Sequence, residues 1–168
     1  MTLRLIYMCG YPFSGKSTLA RAIAEATGCS LVEVDAYMVS TESWRDAYVA
    51  AYAEMRNHLA KGQSVVLDSV AHTRKNRYRL HRIAAEYRAE PTCVWLDVPV
   101  DEADRRRRTN QLSPTRANVP DEGFNWIVST FEPPGPHELV TRYGSEVPID
   151  YWIEGMLLPR LNKEVATP

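Results

Sequence analysis

Gly10-Tyr11-Pro12-Phe13-Ser14-Gly15-Lys16-Ser17, followed by Thr18, decides the reading of this chain. It fits the pattern G-x-x-x-x-G-K-[ST], in which glycines let backbone N–H groups turn inward around a polyphosphate. Upstream, Leu3-Arg4-Leu5-Ile6-Tyr7-Met8 is a short apolar run of the kind a buried strand needs. Downstream, Leu19, Ala20, Ile23 and Ala24 share one helical face over Lys16 to Thr27, and Gly28 can end that helix. Strand, glycine loop and helix start therefore follow in the order such a loop requires. The helix adds unpaired N–H groups and the positive end of its dipole. Lys16 is expected to reach the outer phosphates of a nucleoside triphosphate, and the Ser17 hydroxyl to hold Mg²⁺.

The rest of the chain repeats this alternation. Ser30-Leu31-Val32-Glu33-Val34 reads as a second strand ending at Asp35, and Glu42 to Lys61 as a long helix closed by Gly62. Ser64-Val65-Val66-Leu67 reads as a third strand ending at Asp68. Thr73 can cap the next helix, with Leu80, Ile83, Ala84 and Tyr87 on one face. Thr92-Cys93-Val94-Trp95-Leu96 is a fourth strand, followed by Asp97. Strands alternating with helices predict an α/β fold, a parallel sheet covered on both faces. Ligands in such sheets bind beyond the carboxyl ends of the strands, where Asp35, Asp68 and the glycine loop fall.

Farther on, Asp101 to Arg108 reads as a short charged helix and Thr109 to Val119 as a mobile flap. Pro120 opens another helix, and Glu138 to Tyr143 is a fifth strand. Ile149, Trp152, Ile153, Met156 and Leu157 have helical spacing, bounded by Pro148 and Pro159. That apolar face docks on the domain or forms a dimer contact, so the chain is expected to be a monomer or a dimer.

The 168 residues suit one domain, and no stretch reaches the roughly 18 uninterrupted apolar residues of a membrane span. The N-terminus leads straight into the first strand, which predicts no signal peptide. Cys9, Cys29 and Cys93, odd in number and far apart, read as reduced thiols of a cytoplasmic protein. The formal charge of −1 divides unevenly: −1 over residues 1–71, +5 over 72–118 and −5 over 119–168. The basic middle could face a polyanion or simply be a solvated helix face.

Four sets of residues are candidates for chemistry. Asp35, across the cleft from the loop, could take the proton of an attacking hydroxyl or serve only as a turn residue. Asp68 could support Mg²⁺ beside Ser17 or cap the following helix. Among Arg105-Arg106-Arg107-Arg108, at most two side chains can face one phosphate, because helical positions radiate around the axis. Arg74, Lys75, Arg77, Arg79 and Arg82 form a basic face with Tyr78 among them, and His72 and His81 read as surface residues.

Together these segments resemble the small P-loop kinases, which include phage-type polynucleotide kinase, chloramphenicol phosphotransferase and zeta-toxin-like kinases, among the AAA-type ATP-binding proteins. The resemblance covers residues 3–134. It rests on the glycine loop through Thr18, Asp35, Gly62 to Asp68, Leu96-Asp97-Val98-Pro99 and Phe131-Glu132-Pro133-Pro134. The family's arginine-rich lid begins about two helical turns beyond the proline, which points at Arg106. The resemblance implies a three-layer P-loop NTPase fold with strand order 2-3-1-4-5 and a small lid over about 105–120. With the length and the spacing of the tail, the chain is expected to be a single domain over 1–168 with a C-terminal helix over about 148–158. Gly10 to Thr18 would bind ATP, Ser17 and Asp68 would serve Mg²⁺, Asp35 would act as general base, and Lys16 and Arg106 would stabilise the transferring phosphoryl group.

Two departures stand out. Phe13 replaces a common glycine, so the rim of the loop must accept a bulky ring, against nucleotide or lid. Ala36-Tyr37-Met38 lacks the arginine with which polynucleotide kinases hold a substrate phosphate, which weighs against a polynucleotide acceptor. The expected function is ATP-dependent transfer of a γ-phosphoryl group to a hydroxyl, on a small molecule or a nucleic-acid end. The alternatives are a nucleoside monophosphate kinase, a nucleotide-dependent nucleic-acid-binding module using residues 72–108, and a nucleotide-gated interaction protein.

Overall fold

The computed structural model describes residues 2–41, 43–115 and 118–163. Five strands, β1 (Arg4–Cys9), β2 (Ser30–Glu33), β3 (Val65–Asp68), β4 (Glu90–Leu96) and β5 (Val140–Tyr143), form one sheet in the order β2-β3-β1-β4-β5. Every pairing is parallel, with Leu5 opposite Val65 and Pro91, and Glu33 opposite Asp68. The order is the one the family resemblance implies.

The helices between them are α1 (Lys16–Thr27), α2 (Val34–Tyr37), α3 (Trp44–Ala60), α4 (Arg74–Glu86), α5 (Val100–Leu112) and α6 (Asp121–Thr130). The two-residue period of β1 sorts its side chains onto two cores. Leu5, Tyr7 and Cys9 pack with Ala51, Met55 and Leu59 of α3 and with Leu80 and Ile83 of α4. Ile6 and Met8 pack with Leu19, Ala20 and Ile23 of α1, and with the C-terminal segment. Both faces of the sheet are thus covered, and the strands read as continuous apolar runs for that reason. Ser43 caps α3 by accepting from the Asp46 N–H, and Thr73 caps α4 by accepting from the Asn76 N–H, each satisfying an orphan donor of the first turn.

Three segments depart from expectation. The second strand stops at Glu33, and Asp35 sits within the single turn α2, because Met38 N–H closes back onto the Asp35 carbonyl. The fifth helix runs through Leu112, so Thr109–Leu112 belongs to it rather than to a flap. Buried Asn110 then accepts from the Thr115 N–H and anchors the start of the irregular stretch. Arg116 and Ala117, within the proposed lid, lie outside the described residues.

At the C-terminus, α7 (Ile149–Trp152) passes through a wide π turn, Ile153–Leu157, into α8 (Leu158–Lys163). The helix continues through Pro159 instead of stopping there. The Leu158 N–H reaches five residues back to the Ile153 carbonyl, and the widened turn takes up the proline ring that would clash in a regular one. Trp152, Ile153, Leu157 and Leu161 are buried in the α1-side core, so this face docks on its own domain. No helix among the described residues is long and apolar enough to cross a membrane.

Candidate active site

Gly10 leaves β1 at φ 151°, with its N–H bonded to the Val70 carbonyl. A Cβ there would lie 3.0 Å from the Leu96 carbonyl oxygen and 3.1 Å from Ser14 Oγ, so only glycine fits between the ends of β1 and β4. Gly15 caps α1 at φ 102°, a conformation that disfavours side chains. Between them Phe13 stands at φ 65° and is 5% exposed. Its ring is therefore buried rather than at the rim of the loop. Holding a non-glycine residue in this region costs about 1–3 kcal/mol, which burial of the ring helps to offset.

Lys16 is buried, and its Nζ donates to the Tyr11 carbonyl at 2.5 Å, folding the side chain back over the loop. Buried Ser14 Oγ has no hydrogen-bond partner among the described residues. The Ser17 hydroxyl bonds the Asp68 carboxylate at the end of β3. Burial pushes the Asp68 carboxyl up from its usual range, Lys16 and the Ser17 hydrogen bond pull it down, and the charge of Asp35 pushes it up again. Asp68, Lys16, Ser17 and Asp35 therefore share one electrostatic site, although they come from three segments of chain. Its loop amides, inward lysine and all-oxygen donors suit a polyphosphate and a hard cation such as Mg²⁺.

The run of four arginines divides by helical position. Arg106 Nε donates to Glu102 at 2.7 Å, while its Nη1 donates to the Ser14 carbonyl at 3.3 Å. It is the member of the run that reaches the glycine loop. Arg107 is buried between Asp104 and Asp121 with its guanidinium over the Phe124 ring, joining α5 to α6. Arg105 and Arg108 make surface pairs with Glu102 and Asp104 one turn back. Asp97 pairs with Arg142 of β5.

Pro12, Lys16, Ser17, Asp35 and Asp68 line an open cleft of about 200 Å³. Trp44, His72, Gly123 and Trp126, none of which the sequence reading placed in the site, line the same cleft. His72 is buried, contrary to expectation, because it lies edge-on to Trp126 with ring centroids 5.1 Å apart. His81 is exposed as expected, and its ring shares a hydrogen bond with the Tyr7 hydroxyl. A sequence signal for Trp126 did exist. On α6, Gly123, Trp126 and Ile127 form a second i, i+3, i+4 stripe beside the buried Phe124, more apolar surface than one docking face needs.

The Phe131-Glu132-Pro133-Pro134 segment ties the glycine loop to the residues around His72. Phe131 stacks on Tyr11 of the glycine loop, and the Glu132 N–H donates to the His72 carbonyl. The Glu132 carboxylate caps α4 at the Arg74 N–H. Arg77, grouped with the basic face on sequence alone, is 1% exposed instead. It donates to the Ala71 and Glu132 carbonyls and makes a bidentate pair with Glu138. The remaining basic face of α4 lacks its central member.

The comparisons with known proteins agree with this geometry. Residues 5–134 match the family model described as an AAA domain. The chain belongs to that family, among the small P-loop kinases. It is 26% identical over 160 residues to a bifunctional polynucleotide phosphatase/kinase of Schizosaccharomyces pombe, covering 89% of this chain but 37% of that protein. A gluconokinase from Sinorhizobium meliloti superposes with a TM-score of 0.69 and 23% identity, over 96% of this chain and 95% of its own. Kti12 of Chaetomium thermophilum, solved with ADP-AlF3, gives a TM-score of 0.76 and 19% identity, over 91% and 97% of the two chains. The fold is that of P-loop kinases over its whole described length.

Asp68 offers the first mutational check. Asp68→Asn keeps the shape but weakens the hold on Ser17, and is expected to lower Mg²⁺ affinity about 10- to 100-fold. The Mg²⁺ dependence of nucleotide-induced stabilisation measures this directly, and an unshifted titration would remove Asp68 from the metal's surroundings.

Proposed function

We propose that this protein is an ATP- and Mg²⁺-dependent kinase that transfers a γ-phosphoryl group to a hydroxyl acceptor. One observation carries the reading: Asp35 shares a cleft with Lys16 and Ser17, at the site where an acceptor must meet the last phosphate of a loop-bound nucleotide. Loop amides from Gly10 to Thr18 hold the phosphates, with Lys16 released from the Tyr11 carbonyl to neutralise them. Ser17, supported by Asp68, would hold Mg²⁺, which when bound draws charge from the phosphate oxygens. Asp35 accepts the proton of the attacking hydroxyl. Three unpaired cysteines fit a reducing, cytoplasmic setting.

Arg106 supplies positive charge to the phosphoryl group as it moves. Its contact with the Ser14 carbonyl places the guanidinium beside the loop, and its ion pair with Glu102 keeps it extended. Arg106→Ala is expected to lower kcat by about 10²- to 10³-fold, while Arg105→Ala and Arg108→Ala stay near the parent. Equal losses in all three would assign the effect to the helix rather than to Arg106.

A hydroxyl acceptor is favoured over a monophosphate because the cleft's lining, among the described residues, contains one cation, Lys16, and two carboxylates. The reading is tested with ATP labelled in its γ-phosphate. Label recovered on an organic acceptor supports it, and label found only as inorganic phosphate with every acceptor class would overturn it.

A further inference from the structure

Phosphoryl transfer accounts for Lys16, Ser17, Asp35 and Asp68 and leaves the aromatic part of the cleft's lining unexplained. Trp44, the first residue of α3, is 40% exposed and Trp126 of α6 is 58% exposed, and both line the same cleft with Tyr48. Exposed tryptophans cost a protein apolar surface in water, and two lining one cleft mark a place for a flat ligand.

Polar groups of the same cleft point the same way. Ser69 Oγ and His72 Nε2, both from the loop after β3, are buried with no hydrogen-bond partner among the described residues. Such groups cost about 1–3 kcal/mol each until a ligand or water satisfies them.

Charge narrows the class. Among the described residues the lining contains one cation, Lys16, against two carboxylates, Asp35 and Asp68. Burial holds the His72 imidazole toward its neutral form, Glu132 opposes that and Arg77 adds to it. Arg77 is spent on Glu138, and Arg107 on Asp104 and Asp121. An acceptor bearing phosphate or carboxylate would bring a further anion into a cleft that already holds two carboxylates, with Lys16, the cation of the described lining, engaged by the nucleotide's phosphates.

We propose that the acceptor is a neutral alcohol carrying an aromatic ring, stacked at the Trp44–Trp126 wall, with Ser69 and His72 bonding its polar substituents. The proposal rests on the kinase reading for the fate of the hydroxyl, but not for binding. In the reaction the acceptor oxygen forms a bond to the γ-phosphorus while the bond from that phosphorus to the β,γ-bridging oxygen breaks. ADP leaves with the electron pair, and the acceptor's proton passes to Asp35.

The test is a binding titration by tryptophan fluorescence, on the full chain saturated with Mg²⁺ and a non-hydrolysable ATP analogue so that the nucleotide's own base site is filled. The probes are thymidine, phenylethanediol, thymidine monophosphate and gluconate. Thymidine or phenylethanediol is expected to saturate at least about tenfold more tightly than either anion, and which of the two binds distinguishes a nucleoside from a simpler aryl alcohol. Trp126→Ala should weaken that binding about tenfold. Gly123→Leu, whose new side chain starts 3.8 Å from Val119 Cγ1 and extends at the cleft wall, should weaken it further. Stabilisation of each variant by the ATP analogue reports that it has folded.

Tighter binding of thymidine monophosphate or gluconate, or neutral binding unchanged in both variants, would overturn the proposal. Failure of all four probes to bind would overturn it as well. Repeating the titration with ATP separates the two claims: binding of a neutral ring without its phosphorylation keeps the ligand class and defeats the kinase reading. Phosphorylation of gluconate alone does the reverse.

Discussion

Asp35→Asn is expected to lower phosphoryl transfer by about two to four orders of magnitude while Mg·ATP still binds. The amide is nearly the same size as the carboxylate but cannot take a proton from the acceptor. The proposed phosphate contacts lie in a different segment, between Gly10 and Thr18, so nucleotide affinity should change little. The turn α2 should persist, because it is closed by the Asp35 backbone carbonyl and not by its side chain. The informative pair of measurements is kcat with a saturating acceptor and the dissociation constant for the nucleotide. Full turnover in the variant would show that Asp35 only orders the loop, whereas loss of nucleotide binding would place it in the phosphate site.

Glu138→Ala is expected to have the largest effect on stability. Arg77 is 1% exposed and makes its bidentate pair with Glu138. Removing the carboxylate leaves a buried guanidinium with the carbonyls of Ala71 and Glu132 as its remaining oxygen acceptors among the described residues. Breaking such a pair from one side costs about 3–5 kcal/mol, and the partial exposure of Glu138 favours the lower part of that range. Replacing both partners, Arg77→Met with Glu138→Leu, should cost much less, because no unpaired charge remains. Denaturant melts of the three variants test this, and a double variant as unstable as Glu138→Ala would contradict the ion-pair explanation.

The same pair sets a pH dependence. Hydrogen bonds from Arg77 pull the Glu138 carboxyl down to about 2, against its burial. A lowered carboxyl contributes stability that is present above its unfolded pKa, near 4.5, and is lost as pH falls toward 2. The parent should therefore lose stability on acidification through this window more steeply than the double variant.

The glycine loop was legible from sequence because everything that defines it is local. Gly10, Gly15 and Lys16 fall within one turn and one helix start, and strand and helix periods flank them. The parallel sheet was legible for a similar reason, since its strands are buried on both faces and appear as short apolar runs. What escaped depends on contacts between distant segments. His72 looked like a surface histidine because Trp126 and Glu132, which cover it, lie more than 50 positions away. Arg77 sat in a basic run, and its partner Glu138 is 61 positions on.

The ends of elements were missed for local reasons that the residue pattern hides. Thr109 to Leu112 has little apolar content, yet α5 keeps its last turn there with Asn110 buried beneath it. Pro159 normally ends a helix, but the π turn before it removes the steric objection. Of the four arginines, spacing limited how many could face the loop, and only the fold separates Arg106 at Ser14 from Arg107 at Asp121.

The central claim, transfer of a phosphoryl group from ATP to a hydroxyl, is tested most directly by ADP release from purified protein with Mg·ATP. The acceptors would be supplied as separate pools of nucleosides, aryl alcohols, sugars, nucleoside monophosphates and 5′-hydroxyl oligonucleotides, with Lys16→Met as the control for contaminating activity. The structure predicts release stimulated by one alcohol pool, matched mole for mole by a phosphorylated acceptor, and absent in Lys16→Met. Release that no alcohol pool stimulates, or that only the monophosphates stimulate, would contradict it.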